Sequence, residues 1–200
     1  MVITNYPEDK VEYFEVSNNP QHPEVGTRKL PFTRELYIDA DDFAEVPPPK
    51  FFRMKPDGEV RLMGAYIVKC NEIIKDEEGN ITEIRCTADL EAGNGNPLDG
   101  RKVKGTIHWL SAKYAEDVTV MHYDRLFTEK NMGDYSQDEY NQFLNPESVK
   151  VLSHAKIEPC VFTDECDKYQ FVRLGYYVKD SKHERTFNRI VSLKDGYKPE

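Results

Sequence analysis

Residues 47–62, PPPKFFRMKPDGEVRL, place Lys50, Arg53, Lys55 and Arg61 around Phe51 and Phe52. Unpaired RNA bases stack on flat apolar surfaces and their phosphates are met by cations, so basic side chains beside aromatics are what single-stranded RNA requires. The two phenylalanines suit a core equally well. A second basic stretch, DGRKVKGTIHW at 99–109, sets Arg101, Lys102 and Lys104 against Trp109, the one tryptophan of the chain. Strand alternation would put Lys102, Lys104 and His108 on one face and Val103, Ile107 and Trp109 on the other. Trp109 is therefore expected in the core, with the lysines facing solvent or phosphate.

Other chemistry is hard to find. The chain has no G-x-x-x-x-G-K-[ST] loop, no G-x-G-x-x-G, no H-E-x-x-H and no G-x-S-x-G elbow. The run EAGNGNPLDG has the Asn, Pro and Asp of an ordinary loop. Five histidines, His22, His108, His122, His154 and His183, lack metal-ligand spacing and are expected in core or surface roles. Cys70, Cys86, Cys160 and Cys166 form no C-x-x-C pair and are too sparse for a disulfide framework, which favours a reducing compartment. No metal and no cofactor are expected in this chain.

Lys+Arg 27 against Asp+Glu 36 gives a net charge of -9, which opposes non-specific nucleic-acid binding but leaves room for a local basic surface. No apolar run is long enough to span a bilayer and MVITNYPEDK is no signal peptide, so a cytoplasmic location is expected.

The elements that must carry these residues read as strands. GAYIVKCNEII and ITEIRCTAD flank the polar KDEEGN and predict a hairpin. RELYID, KVKGTIHWLSA, VTVMHYDRLF, VKVLSHAKI, YQFVRLGYYVKD and TFNRIVSL predict further strands. Short helical pieces are predicted at Asp39 to Phe43 and after Ser136, where Glu139 completes a capping box, and VPPPK reads as an extended connector. An all-β fold of two antiparallel barrels follows, because closure removes exposed edges.

Several strings resemble the C-terminal anticodon-binding region of glutaminyl-tRNA synthetases, which are class I aminoacyl-tRNA synthetases. They are HPEVGTRKLPF (22 to 32), EVRLMGAYIVK (59 to 69), DGRKVKGTIHW (99 to 109), YDRLF (123 to 127), NPES (145 to 148) and FNR (187 to 189), in family order across nearly the whole chain. The resemblance implies two ribosomal-protein-like barrels, the distal inserted in the proximal. Residues 1–39 and 128–200 would form the proximal barrel and 40–127 the distal one, together holding the anticodon loop of tRNA(Gln).

The same resemblance nominates site residues. The family segment Q-Y-K-R reads KFFR here, which keeps Arg53, puts Lys50 in place of a glutamine and Phe52 in place of a lysine. V-R-L-R reads VRLM, with Arg61 retained and Met63 replacing an arginine. Gln170 and Arg173 are retained around Val172, which replaces an acidic residue, while Lys194 stands for an arginine and Gly196 for a threonine. With Gln21, the candidate RNA-binding residues are Lys50, Arg53, Arg61, Gln170, Arg173, Lys194 and Gln21. The physical roles open to them are distinct. Gln170 can read a base edge or sit in a strand satisfied by backbone, and Arg53 and Arg61 can fork onto phosphate or guanine or pair with Glu45 or Glu59.

The H-I-G-H and K-M-S-K-S type motifs of a class I catalytic domain are missing from the chain. The expectation is an excised region, inactive alone, of a monomeric ligase whose catalytic domain uses ATP and Mg. The alternatives are the same region of a glutamyl-tRNA synthetase, or a free-standing RNA-binding barrel protein.

Overall fold

The computed structural model describes residues 1–193, so Lys194 and Gly196 lie outside the described residues. Two compact units are found, Met1–Ala115 with Glu158–Phe162, and Glu116–Ile157 with Thr163 onwards. Among the described residues the only helical pieces are short 3₁₀ turns, as an all-β fold requires, and no helix is long and apolar enough to cross a membrane.

In the first unit the strands are β1 Val2–Ile3, β2 Glu12–Ser17, β3 Thr27–Phe32, β4 Leu36–Tyr37, β5 Glu59–Leu62, β6 Ile67–Lys75, β7 Ile81–Ala88, β8 Thr106–Ile107 and β9 Leu110–Ser111. Five of them form a sheet in the order β1-β7-β6-β5-β8, while β2-β3 and β4-β9 pair separately. The predicted β6–β7 hairpin is present. Its turn closes on Asp76, whose Oδ1 accepts from the backbone N–H of Glu78 (3.0 Å) and Asn80 (2.8 Å), with Gly79 at φ +86°. The β2–β3 hairpin was not legible as a strand pair, because TRKLPF carries a proline and charges that break alternation.

Aromatic packing fills this core. Phe32 lies 5.0 Å from Tyr6, 5.2 Å from Tyr66 and 5.1 Å from Trp109, all edge-on. The Glu12 carboxylate accepts 2.7 Å hydrogen bonds from both tyrosine hydroxyls; burial opposes its charge, but these bonds and Lys10 hold the carboxyl below its ordinary range.

The second unit comprises β10 Glu116–Tyr123, β11 Val149–Ile157, β12 Lys168–Phe171, β13 Gly175–Lys179 and β14 Thr186–Ser192, in the order β11-β10-β14-β13-β12. The capping box at Ser136 forms: the Glu139 carboxylate accepts from the Ser136 N–H at 2.9 Å and its hydroxyl at 2.7 Å.

The all-β class with few short helical pieces is as expected, and each five-stranded sheet has two ends among the described residues. The units divide at 115 and 157, and the pairing of β1 with β7 and of β4 with β9 ties residues on both sides of 40 to one core. One expectation is corrected. The single strand read over YQFVRLGYYVKD is a hairpin turning at 172–174, where Arg173 takes φ +64°.

Candidate nucleic-acid interface

The segment after VPPPK is a loop pinned at its base. Phe43 and Met54 form a parallel bridge, the Met54 N–H donates to the Asp42 carbonyl at 2.9 Å, and the Met54 side chain is fully buried. A tight turn, with the Phe51 N–H donating to Pro48 O at 3.2 Å, presents Lys50 exposed and in the left-handed region at φ +65°. That conformation disfavours any side chain. Lys50→Gly should therefore raise stability by about 0.5–1 kcal/mol in denaturant unfolding while weakening RNA binding. A destabilised variant would count against this geometry.

Arg53 and Arg61 are both tethered through one nitrogen. Arg53 Nη1 donates to Asp41 O at 2.8 Å and lies 3.4 Å from the buried Asp42 carboxylate; Arg61 Nη1 donates to Asn94 O at 3.2 Å and Gly95 O at 2.7 Å. Among the described residues, Nε and Nη2 of each make no hydrogen bond, so these donors stay available while the tether constrains the rotamer. The ion pairs with Glu45 and Glu59 do not form: Glu45 is taken by Lys75 and Glu59 by Arg101.

The basic stretch 101–104 divides into two roles. Arg101 meets three carboxylates, Glu59 at 3.0 Å, Asp89 at 2.6 Å and Asp99 at 2.9 Å, and these hydrogen bonds raise its pKa further. It is held as a structural clamp. Lys102 and Lys104 are exposed and make no ion pair among the described residues. Lys104 Nζ instead sits 5.7 Å from the centroid of the Phe52 ring, which is 54% exposed.

The two sequence motifs are thus one surface. Gly105 brings them together: a Cβ there would lie 2.3 Å from the Phe52 carbonyl oxygen, so only glycine permits the approach. The same contact interrupts the strand expected over KVKGTIHWLSA, leaving only β8 and β9 regular. Ile107 and Trp109 are buried as expected, but His108 leaves the lysine face and lies 3.5 Å from Glu158. Phe52, which suited a core, is outside it; its exposed neighbourhood was signalled only by the basic residues on both sides.

Gln21 is exposed in a turn, its N–H donating to Asn19 Oδ1 at 3.0 Å. In the second unit, Gln170 is exposed on β12 opposite Tyr176 of β13, and Arg173 is exposed in the turn between these strands. Behind them Phe171 stacks on Tyr177 at 4.3 Å, anchoring the hairpin. Exposed Tyr176 (44%) beside Gln170 is an aromatic that single-residue reading missed, because only the hairpin register pairs the two. Among the described residues no group of three or more His, Cys, Asp or Glu is arranged to hold a metal ion.

The exposed aromatics, arginines and amide of these surfaces are groups of the kind that stack on bases, fork onto phosphates and read a base edge. Residues 1–89 and 106–180 match two family models, each described as tRNA synthetases class I (E and Q), anti-codon binding domain. Proteins named glutamine–tRNA ligase are 48% identical over 203 residues in Rhodopirellula baltica, 45% over 203 in Clostridium kluyveri and 47% over 202 in Aliivibrio fischeri. These matches cover 98%, 99% and 98% of this chain and 33%, 36% and 36% of those proteins, so the chain spans about a third of their length. The chain belongs to the anticodon-binding domain family of the class I tRNA synthetases for glutamate and glutamine.

Proposed function

We propose that this chain is the anticodon-recognition region of a glutamine–tRNA ligase and binds the anticodon loop of tRNA(Gln). The observation that carries the choice of glutamine is the 48% identity to a protein of that name. The tethered Arg53 and Arg61 and the exposed Gln170 support RNA contact, in which phosphate contacts position the loop and base contacts specify it. ATP and Mg act elsewhere in the ligase, where the aminoacylation chemistry resides, and this region contributes specificity and orientation. It works in the cytoplasm as part of a monomeric enzyme.

The test is titration of the chain with anticodon stem-loops for glutamine, glutamate and an unrelated amino acid at two salt concentrations. The glutamine hairpin should bind tightest. Equal affinity for all three overturns the reading, and preference for the glutamate hairpin assigns the chain to the glutamate enzyme. Arg61→Ala should weaken binding and reduce the salt slope by roughly 0.7–0.9 if its remaining donors meet one phosphate. Lost discrimination at an unchanged slope would assign Arg61 to a base instead.

A further inference from the structure

Cys70 and Cys86 lie directly opposite each other on the antiparallel strands β6 and β7. Both carry free thiols, 1% and 0% exposed, in the core that also holds Val68, Ile84 and Trp109. The Cys70 N–H donates to Gly58 O at 3.0 Å and its carbonyl accepts from the Asp57 N–H at 3.1 Å, so both backbone groups point away from β7. The Cys86 carbonyl accepts from the Thr4 N–H at 2.8 Å, away from β6. The two cysteines are therefore a non-hydrogen-bonded pair, the closer of the two pairings in an antiparallel ladder, with Cα atoms about 4.5 Å apart and side chains on one face. Disulfides span Cα separations of about 4.4–6.8 Å, so this register holds two thiols where an S–S bond fits.

The geometry points to Cys70 and Cys86 as a disulfide-forming dithiol inside the first unit, oxidised by a small-molecule disulfide of the glutathione type. The inference is independent of the anticodon reading. In the first step the thiolate of one cysteine attacks a sulfur of the oxidant and one glutathione thiolate leaves. In the second, the facing cysteine thiolate attacks the mixed disulfide and releases the other glutathione. Two electrons pass from the cysteine pair to the oxidant, and the two protons end on the released thiols. Access is gated by the core. Burial raises the pKa of both thiols, that of Cys86 to about 12, so in the closed unit they stay protonated and unreactive. The gate has a weak point beside the pair: the β6–β7 register shifts between Cys70 and Glu72, which leaves Asn71 out of the ladder. Opening at this bulge admits the oxidant to one thiol, and reclosure returns the facing thiol as the resolving group. The bond then staples the hairpin from 70 to 86 and restricts the unfolded chain.

The test incubates the 200-residue chain with glutathione disulfide, alkylates the remaining thiols and maps the peptides by mass spectrometry. A linked peptide joining Cys70 to Cys86, two hydrogens lighter than the separate thiol peptides, should form, and about threefold faster for each molar step of mild urea. Exposed Cys166 serves as the internal control that reacts without urea. Cys70→Ala should leave Cys86 as a persistent glutathione adduct, because no second thiol displaces it. The linked parent should melt on the order of 5 °C above the reduced parent, and dithiothreitol should reverse the gain. Recovery of Cys70 and Cys86 as alkylated thiols or as separate adducts, under urea that speeds Cys166 no further, overturns the inference. So does linkage of either one to Cys160 or Cys166 in equal amount. Because the decisive reading is made on the parent chain, it holds even if Cys70→Ala fails to fold.

Discussion

Trp109→Ala should cost about 3–5 kcal/mol of stability and lower the melting midpoint by on the order of 10 °C. The indole is 1% exposed, packs edge-on against Phe32 at 5.1 Å and Phe14 at 6.4 Å, and donates from Nε1 to Met63 O at 3.0 Å. Truncation would open a cavity among aromatics held by two hairpins and would strand the Met63 carbonyl. Trp109→Phe keeps most of the packing and loses only the N–H, so a cost of about 1–2 kcal/mol is expected. Because Trp109 is the one tryptophan, its emission also reports directly on role: RNA addition should leave it unchanged. Strong quenching by RNA would show that the indole stacks on bases and is not a core residue.

Glu158→Ala should cost about 3 kcal/mol at neutral pH, by a different mechanism. Arg28 grips this carboxylate through Nε at 2.5 Å and Nη2 at 2.9 Å, and His108 Nε2 lies 3.5 Å away. Burial alone would raise the Glu158 pKa, yet these partners bring it down from 4.5 to about 2. Removing one partner of such a pair leaves the half-buried Arg28 without its counter-charge, the costly half of the exchange. A depressed carboxyl pKa contributes stability that is fully present above the unfolded value of 4.5 and is lost as pH falls from there towards about 2. Denaturant unfolding of the parent should therefore lose about 3 kcal/mol from this group across that window, and the variant should lack that component. A variant with the same acid profile as the parent would show that Glu158 is not the group responsible.

How much of this was legible in the sequence differs from residue to residue. The β6–β7 hairpin was, because alternation on both arms and an Asp-to-Gly-Asn turn are local signals. The capping box at Ser136 and Glu139 was legible for the same reason. Burial of Ile107 and Trp109 followed from two-residue periodicity even though the strand carrying them is broken. His108 escaped, since its turn towards Glu158 depends on a residue 50 positions away that no periodicity can report. Arg101 escaped too: read as one of three equivalent cations, it is consumed by three carboxylates from separate segments.

The sequence by itself determined the all-β class and the family and nominated the candidate RNA-binding residues, because those depend on residue type, alternation and the order of short strings. Only the tertiary structure decided which of those residues lie together. Gly105 against the Phe52 carbonyl joins two motifs about fifty residues apart into one surface, and backbone carbonyls, not Glu45 or Glu59, tether Arg53 and Arg61. It also placed the unit boundary, since the pairing of β1 with β7 and β4 with β9 joins segments more than seventy residues apart. Such contacts are set by complementary packing across the whole unit, and no local pattern encodes the partner.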